Sequence, residues 1–252
     1  MPFLNRVEYS DNSEAADYVS EIPAVEALRS NPIDLHPQVT FLVGENGSGK
    51  STLLEGIADR WGFDREGGSR IRNLTYNEPW SGLGPALVLR RATASRPMDG
   101  YFLRAESFFN IATQIDEFEQ EQFTATNYFS YGGKSLHQQS HGESFFALFN
   151  HRINGDGVYL LDEPEAALSP QRQLAFLVRM HDLIRDNSQF IIATHSPILL
   201  GYPGAKILQL DESGINEVTW EESDPYRITH QFLSGRERML QALLEDDEDH
   251  SL

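Results

Sequence analysis

The chain has 252 residues, 40% of them hydrophobic, enough to bury the core of one domain with elaborations. It contains no cysteine, which excludes a disulfide framework and a thiolate metal site and fits a reducing compartment. The 38 acids outnumber 20 bases for a net charge of −18, a balance that repels a nucleic-acid backbone at long range and favours solubility.

Residues Met1 to Glu8 have no apolar stretch followed by a small-residue cleavage site, and no later stretch holds 18 uninterrupted apolar residues. A cytoplasmic chain without a membrane segment is expected. From there to residue 38, short apolar runs broken by Pro23, Pro32 and Pro37 predict edge strands and turns.

Val39 to Val43 is a buried strand by its composition, and Gly44 to Ser51 reads Gly-Glu-Asn-Gly-Ser-Gly-Lys-Ser, a complete G-x-x-x-x-G-K-[ST] loop. The glycines let main-chain N–H groups of Gly44, Glu45, Asn46, Gly47, Ser48 and Gly49 wrap phosphates, Lys50 reaches the terminal phosphates, and the Ser51 hydroxyl ligates Mg²⁺, with Thr52 following. Leu53, Leu54 and Ile57 carry a helix whose positive end faces the anion. The sequence therefore predicts nucleoside triphosphate binding.

From Trp61 to Gly100 the chain is rich in Gly, Pro and Ser, with one strand candidate at Ala86–Leu89. Seven arginines fall between Arg65 and Ala105 (Arg65, Arg70, Arg72, Arg90, Arg91, Arg96, Arg104) against three acids. That stretch is net +4 and the remainder −22. It is either a basic patch for a protein or nucleic-acid partner or a set of arginines solvating an irregular insertion. Apolar and helix-forming residues return from Tyr101 to Phe123, and Glu106 lies at the end of a plausible strand.

Gly133-Lys134-Ser135 reads as a turn, because Tyr128 stands where a second phosphate loop would need its first glycine. His137 and His141 have a helical metal-ligand spacing, but no third ligand completes a zinc site. Beyond Ser140-His-Gly-Glu-Ser144, Phe145, Phe146, Leu148, Phe149 and Ile153 predict a helix ending at Asn154-Gly155. Val158–Leu161 is a short buried strand that delivers Asp162 as a metal-holding acid and Glu163 as the base for an attacking water.

Ser169 caps a helix with Pro170 at its first position, running to the Asp186-Asn187 turn. Phe190–Ala193 is the next strand, followed by His195, placed to hydrogen-bond a γ-phosphate. Lys206–Leu210 and a hairpin near Ser213-Gly214 follow, and Glu245–Asp249 is a like-charge run expected to be disordered. Strands alternating with helices predict an α/β fold with a mainly parallel sheet and the nucleotide at its carboxyl edge. The division expected is one ATPase domain over 1–240, with a lid and helical subdomain inserted at about 61–150, and an acidic tail over 241–252.

As a set these residues resemble the ATP-binding-cassette ATPases, over roughly Val39 to Leu210. Gly44–Ser51 is similar to the family's phosphate loop, Ser140–Ser144 to a divergent signature, Val158–Glu163 to its second nucleotide motif, Ala167–Pro170 to its D-loop and His195 to its switch histidine. Within that superfamily, the phosphate loop, Phe102–Ser107 and the signature look like small stand-alone ATPases of the AAA family, closer to repair and chromosome-maintenance proteins than to transporters. Only Ser140 and Gly142 match the usual Leu-Ser-Gly-Gly-Gln signature, and no aspartate follows Leu168.

The resemblance implies a P-loop NTPase fold with N-terminal antiparallel strands and a helical signature subdomain. It implies ATP and Mg²⁺ as cofactors, and a head-to-tail homodimer in which Ser140, Gly142 and Glu143 of one copy close on the nucleotide of the other. Glu106, or failing it Gln114, stands for the glutamine-loop residue and a further metal contact, and Tyr18 is a candidate for stacking on adenine. The function implied is a Mg²⁺-dependent ATP-hydrolysing switch outside transport, with Lys50, Glu163 and His195 as catalytic residues. The alternatives are a nucleotide-gated clamp on nucleic acid or protein, and the nucleotide-binding subunit of a transporter.

Overall fold

In the computed structural model, which describes residues 3–10, 15–65, 67–69, 80–92, 96–104 and 141–245, the strand before the phosphate loop lies inside the main sheet, third of its seven strands. This β3 (Val39–Val43) is buried along its whole length, so its apolar run without alternation is that of a strand covered on both faces. It pairs in parallel with β8 (Gln189–Ala193) and β9 (Lys206–Asp211). Beyond β8 lie β7 (Gly157–Asp162), also parallel, and β6 (Asp99–Arg104), parallel again. Antiparallel edge strands β10 (Gly214–Val218) and β4 (Gly68–Ser69) complete a seven-stranded sheet.

A second, antiparallel sheet is formed by β1 (Leu4–Tyr9) between β2 (Ile33–Asp34) and β5 (Leu87–Arg91). Buried Gln189 ties it to the main sheet: Oε1 accepts from Phe3 N at 2.9 Å and Leu4 N at 2.8 Å, while Nε2 donates to Leu4 O at 2.6 Å and His36 O at 3.0 Å. All four polar capacities of the amide are used, so the buried group carries no desolvation debt.

The sheet separates two apolar clusters. Leu42, Leu160 and Ile191 face the N-terminal sheet and α3 (Lys50–Trp61), whereas Phe41, Tyr159 and Ile192 face α4 (His141–His151) and α5 (Pro170–Arg185). Adjacent residues of one strand thus enter different cores, as the two-residue period of a strand requires. In the second cluster Phe145 stacks on Phe149, and Phe149 meets Phe176 at 4.6 Å between ring centroids. Ser169 caps α5 as expected, its Oγ accepting from Arg172 N at 3.4 Å.

Two parts of the chain differ from the sequence reading. The stretch before residue 38 contains helices α1 (Asp17–Ser20) and α2 (Pro23–Ser30) as well as strands. Pro23 is the first residue of α2, where a missing N–H costs nothing, so a helix start had the signature of a turn. Tyr101 to Arg104, which lead to the strand end expected at Glu106, belong to β6 as that expectation requires. After the short α6 (Pro197–Leu200) and the hairpin, a long helix α7 (Asp224–Glu245) was not foreseen; it is interrupted at Gly235 (φ −141°, ψ 35°) and extends over the first residues assigned to the acidic tail. Its Ile228, Leu233, Leu243 and Leu244 remain exposed. Residues 246–252 lie outside the described residues.

Candidate functional site

The carboxyl ends of β3, β7 and β8 deliver three short segments to one place. The first is the glycine loop. Gly44, Gly47 and Gly49 have φ of 152°, 86° and 100°, conformations that side chains rarely adopt. A Cβ on Gly49 would meet Ile22 Cγ2 at 2.5 Å and Ala24 Cβ at 2.9 Å, so the start of α2 is packed directly behind the loop. The next residue opens α3, leaving its first N–H groups without helical partners.

Lys50 is buried, and its Nζ donates to Gly44 O at 2.8 Å and Glu45 O at 3.0 Å, two carbonyls of the loop itself. Burial lowers its pKa, opposed by the nearby acids Glu163, Asp162 and Glu165. Ser48 Oγ is buried without a hydrogen-bond partner. An ammonium held only by main-chain oxygens and an orphaned hydroxyl are what a phosphate-shaped cradle presents when its anion is not counted.

The second segment follows β7. Asp162 is buried, and its Oδ1 accepts from Ser51 Oγ at 3.1 Å, so the hydroxyl of the loop and the acid of a strand 111 positions later meet. Burial pushes the Asp162 carboxyl up to about 6, against the pull of the Ser51 hydrogen bond. A cation between these oxygens would restore the ionised form, and hydroxyl plus carboxylate is an oxygen donor set suited to Mg²⁺. No cluster of three or more His, Asp or Glu ligands occurs among the described residues, so phosphate and water would complete the shell. Ser51 and Asp162 therefore fit the ion. Glu106, the further metal candidate, lies with Gln114 outside the described residues.

Glu163 sits in the left-handed region at φ 49°, ψ 51°, with its N–H donating to Ala193 O at 2.9 Å. That conformation turns the side chain out of the strand direction, and 43% of it is exposed. The third segment, after β8, places His195 Nε2 at 3.6 Å from Glu163 Oε1. The imidazole Nε2 is covered and makes no hydrogen bond. Glu45, Asn46, Glu163 and His195 line one open hollow. The Glu163 carboxyl, the His195 ring and the glycine loop thus face shared space.

Of the remaining candidates, Thr52 is the third residue of α3, half-buried. Gly142 and Glu143 are in the first turn of α4, which packs on α5 and on the 3₁₀ turn Pro164–Ala167. Glu143 lies 3.9 Å from Arg172 and lines none of the hollow at the glycine loop. Ser140 lies outside the described residues. Tyr18, on α1, is 71% exposed.

Sequence reasoning missed Arg104, Glu55 and Glu165. Arg104 is in register with Asp162 across β6 and β7, and its Nη2 is 2.8 Å from Glu55 Oε1, one turn past Ser51 on α3. A cation at a strand's carboxyl end beside a metal-type acid was the available signal. Other arginines of the basic stretch are also engaged within the chain: Arg90 pairs with Glu8 at 2.8 Å and Arg91 lies over the Trp61 ring. Arg70 and Arg72 lie outside the described residues.

A family model described as "AAA domain, putative AbiEii toxin, Type IV TA system" matches residues 135–201, and one described as "AAA domain" matches residues 25–70. None of the curated proteins matches this sequence. Among solved structures, a metal-chelate type ABC transporter in an inward-facing conformation is 18% identical, covering 88% of this chain and 85% of that one with a TM-score of 0.50. The ATP-binding cassette MJ1267 of an ABC transporter is 16% identical, covering 94% and 97%, also with a TM-score of 0.50. An SMC head domain from Thermotoga maritima is 17% identical over 87% and 99%, with a TM-score of 0.43. Those likenesses concern the fold, whereas the two family-model matches fall on the segments that carry the glycine loop, Asp162, Glu163 and His195. Among the described residues no helix is long and apolar enough to cross a membrane. The chain has the fold of the P-loop NTPases, and its segments 25–70 and 135–201 each match an AAA-domain family model.

Proposed function

We propose that this chain hydrolyses ATP in a Mg²⁺-dependent reaction and acts as a nucleotide-driven dimerisation switch outside transport. The observation that carries the reading is the 3.1 Å contact between Ser51 and Asp162, with Glu163 next in the chain and His195 3.6 Å from it. The N–H groups of Gly44–Ser51 and the Lys50 ammonium bind the phosphates, Lys50 exchanging its two carbonyl partners for phosphate oxygens. Ser51 and Asp162 would hold Mg²⁺, which would supply neutralisation of the charge that develops on the phosphates.

Glu163 accepts a proton from water as the water oxygen bonds to the γ-phosphorus. The bond to the β–γ bridging oxygen breaks, and the products are ADP and phosphate. His195 Nε2 donates to a γ-phosphate oxygen, which satisfies the ring nitrogen otherwise left without a partner.

Dimerisation is supported by the placement of α4. Glu143, in the first turn at its N-terminal end, is not among the described residues lining the hollow at this chain's own glycine loop. A second copy would bring that end to the nucleotide. The missing D-loop aspartate and the shortened match to the signature support a role outside transport.

The test is the mass of Glu163→Gln by light scattering, with and without Mg·ATP. A monomer that becomes a dimer only with nucleotide is expected. An unchanged mass while ATP binds would remove the switch and leave the nucleotide site standing.

A further inference from the structure

The segment that carries His195 is held by more than its own strand. Thr194 N donates to Leu42 O at 3.1 Å on β3, and Ser196 N donates to Thr194 Oγ1 at 3.0 Å. The amide of His195 itself reaches another part of the chain, donating to Glu165 Oε1 at 2.6 Å. Glu165 belongs to the 3₁₀ turn Pro164–Ala167, immediately after the base. Its second oxygen is buried without a hydrogen-bond partner. Burial raises the pKa of this carboxyl, opposed by hydrogen bonds from the His195 and Glu165 amides and the Thr194 side chain, so a costly buried acid is kept where donors of the 194–195 segment meet it.

A second tie runs beside it. Ser196 Oγ donates to Gln173 Oε1 at 2.5 Å, and Gln173 Nε2 donates to Leu168 O at 3.1 Å. Glu163 N, bonded to Ala193 O, makes a third. Segments 163–173 and 193–196 are therefore clasped at three points, and α4 packs on the same 3₁₀ turn.

We propose that Glu165 is a positioning residue: it fixes the His195 main chain so that the histidine moves with the turn on which α4 rests. His195 Nε2 can face a phosphate oxygen only if its backbone is held, because among the described residues the ring nitrogen has no hydrogen-bond partner to orient it, Glu163 Oε1 standing 3.6 Å away. The catalytic part of this role rests on the ATPase reading, whereas the structural part does not.

The first experiment is amide hydrogen exchange on the full chain without nucleotide, comparing wild type, Glu165→Ala and Glu165→Gln. Glu165→Ala is expected to speed exchange in residues 193–199 about tenfold, leaving Val39–Val43 within about twofold, and Glu165→Gln to restore most of the protection through its amide oxygen. Unchanged exchange over 193–199, or an equal rise over β3, would overturn the assignment. Should Glu165→Ala not fold, Glu165→Asp, which keeps the charge but withdraws it by one methylene, is read the same way.

The second experiment is a kinetic cycle with His195→Ala. Glu165→Ala is expected to lower kcat about 10- to 100-fold with KM for ATP within about twofold, and to add nothing in the His195→Ala background. Multiplied losses in the double variant would show that Glu165 does not act through His195. If the wild-type chain hydrolyses no ATP, the ATPase reading fails and the exchange experiment still decides the role of Glu165.

Discussion

The glycine loop 44–49 and the segment 163–169 both leave buried parallel strands at the same sheet edge, yet they keep their shapes by opposite means. The first places glycine at each positive φ, so its conformation is written into the chain and costs no side-chain strain. The second puts a glutamate at φ 49° and is held from outside, by Ala193 O, by the His195 amide and by Gln173. Wrapping a phosphate is work for backbone N–H groups, whereas the base proposed at Glu163 must present a side chain, so strain is tolerated there and absent from the loop. The comparison teaches that local encoding and tertiary restraint are alternatives at one active edge.

The sharpest way to break that contrast is to add a single methyl to the locally encoded loop. Gly49→Ala places Cβ against Ile22 and Ala24 at φ 100°, and is expected to destabilise the fold by about 2–4 kcal/mol and to abolish ATP binding. Urea melts and nucleotide titration would check both. A variant that kept its stability would show that α2 yields and that the loop is not rigidly backed.

The converse change relieves the other segment. Glu163→Gly is expected to raise stability by about 0.5–1 kcal/mol, because the left-handed strain disappears and a half-exposed side chain loses little packing. Turnover would vanish with it. A decrease in melting temperature would mean that the glutamate contributes contacts that outweigh its backbone cost.

A smaller effect comes from His36, at the opposite end of β3. Its Nδ1 accepts from Gln38 N at 3.2 Å and Val39 N at 3.3 Å, which requires an unprotonated nitrogen. Burial holds its pKa below the usual value, Lys206 acting in the same direction and Glu217 against it. The folded state thus resists protonation more than the unfolded chain does. The stabilisation is fully present above about pH 6.5 and is lost as pH falls through the lower folded value, with a slope under about 1.4 kcal/mol per pH unit. His36→Gln should flatten the pH dependence of wild-type stability between pH 7 and 5, and identical curves would remove His36 as its source.

How much was legible follows the same division. Gly44–Ser51, Asp162 and the hairpin at Gly214 could be read because glycines, a strand-end acid and a turn are local signals. Ser169 and Pro170 announced α5 for the same reason. Glu165 could not, since its meaning lies in His195, 30 positions away, and Arg104 offered only its place at a strand end, its partner Glu55 lying 49 positions away. The helix α7 was missed because most of its apolar residues are not buried and Gly235 interrupts their periodicity. Pro23 hid α2 because a proline marks helix starts and turns alike.

The central claim is that the pair Asp162 and Glu163 turns a nucleotide cradle into a hydrolase. The most direct measurement is steady-state ATP turnover of wild type and Glu163→Gln in Mg²⁺, with ATP affinity measured on both. The account predicts a fall in kcat of about 10²- to 10⁴-fold with affinity changed by no more than a few-fold. Equal turnover in the two proteins would contradict it.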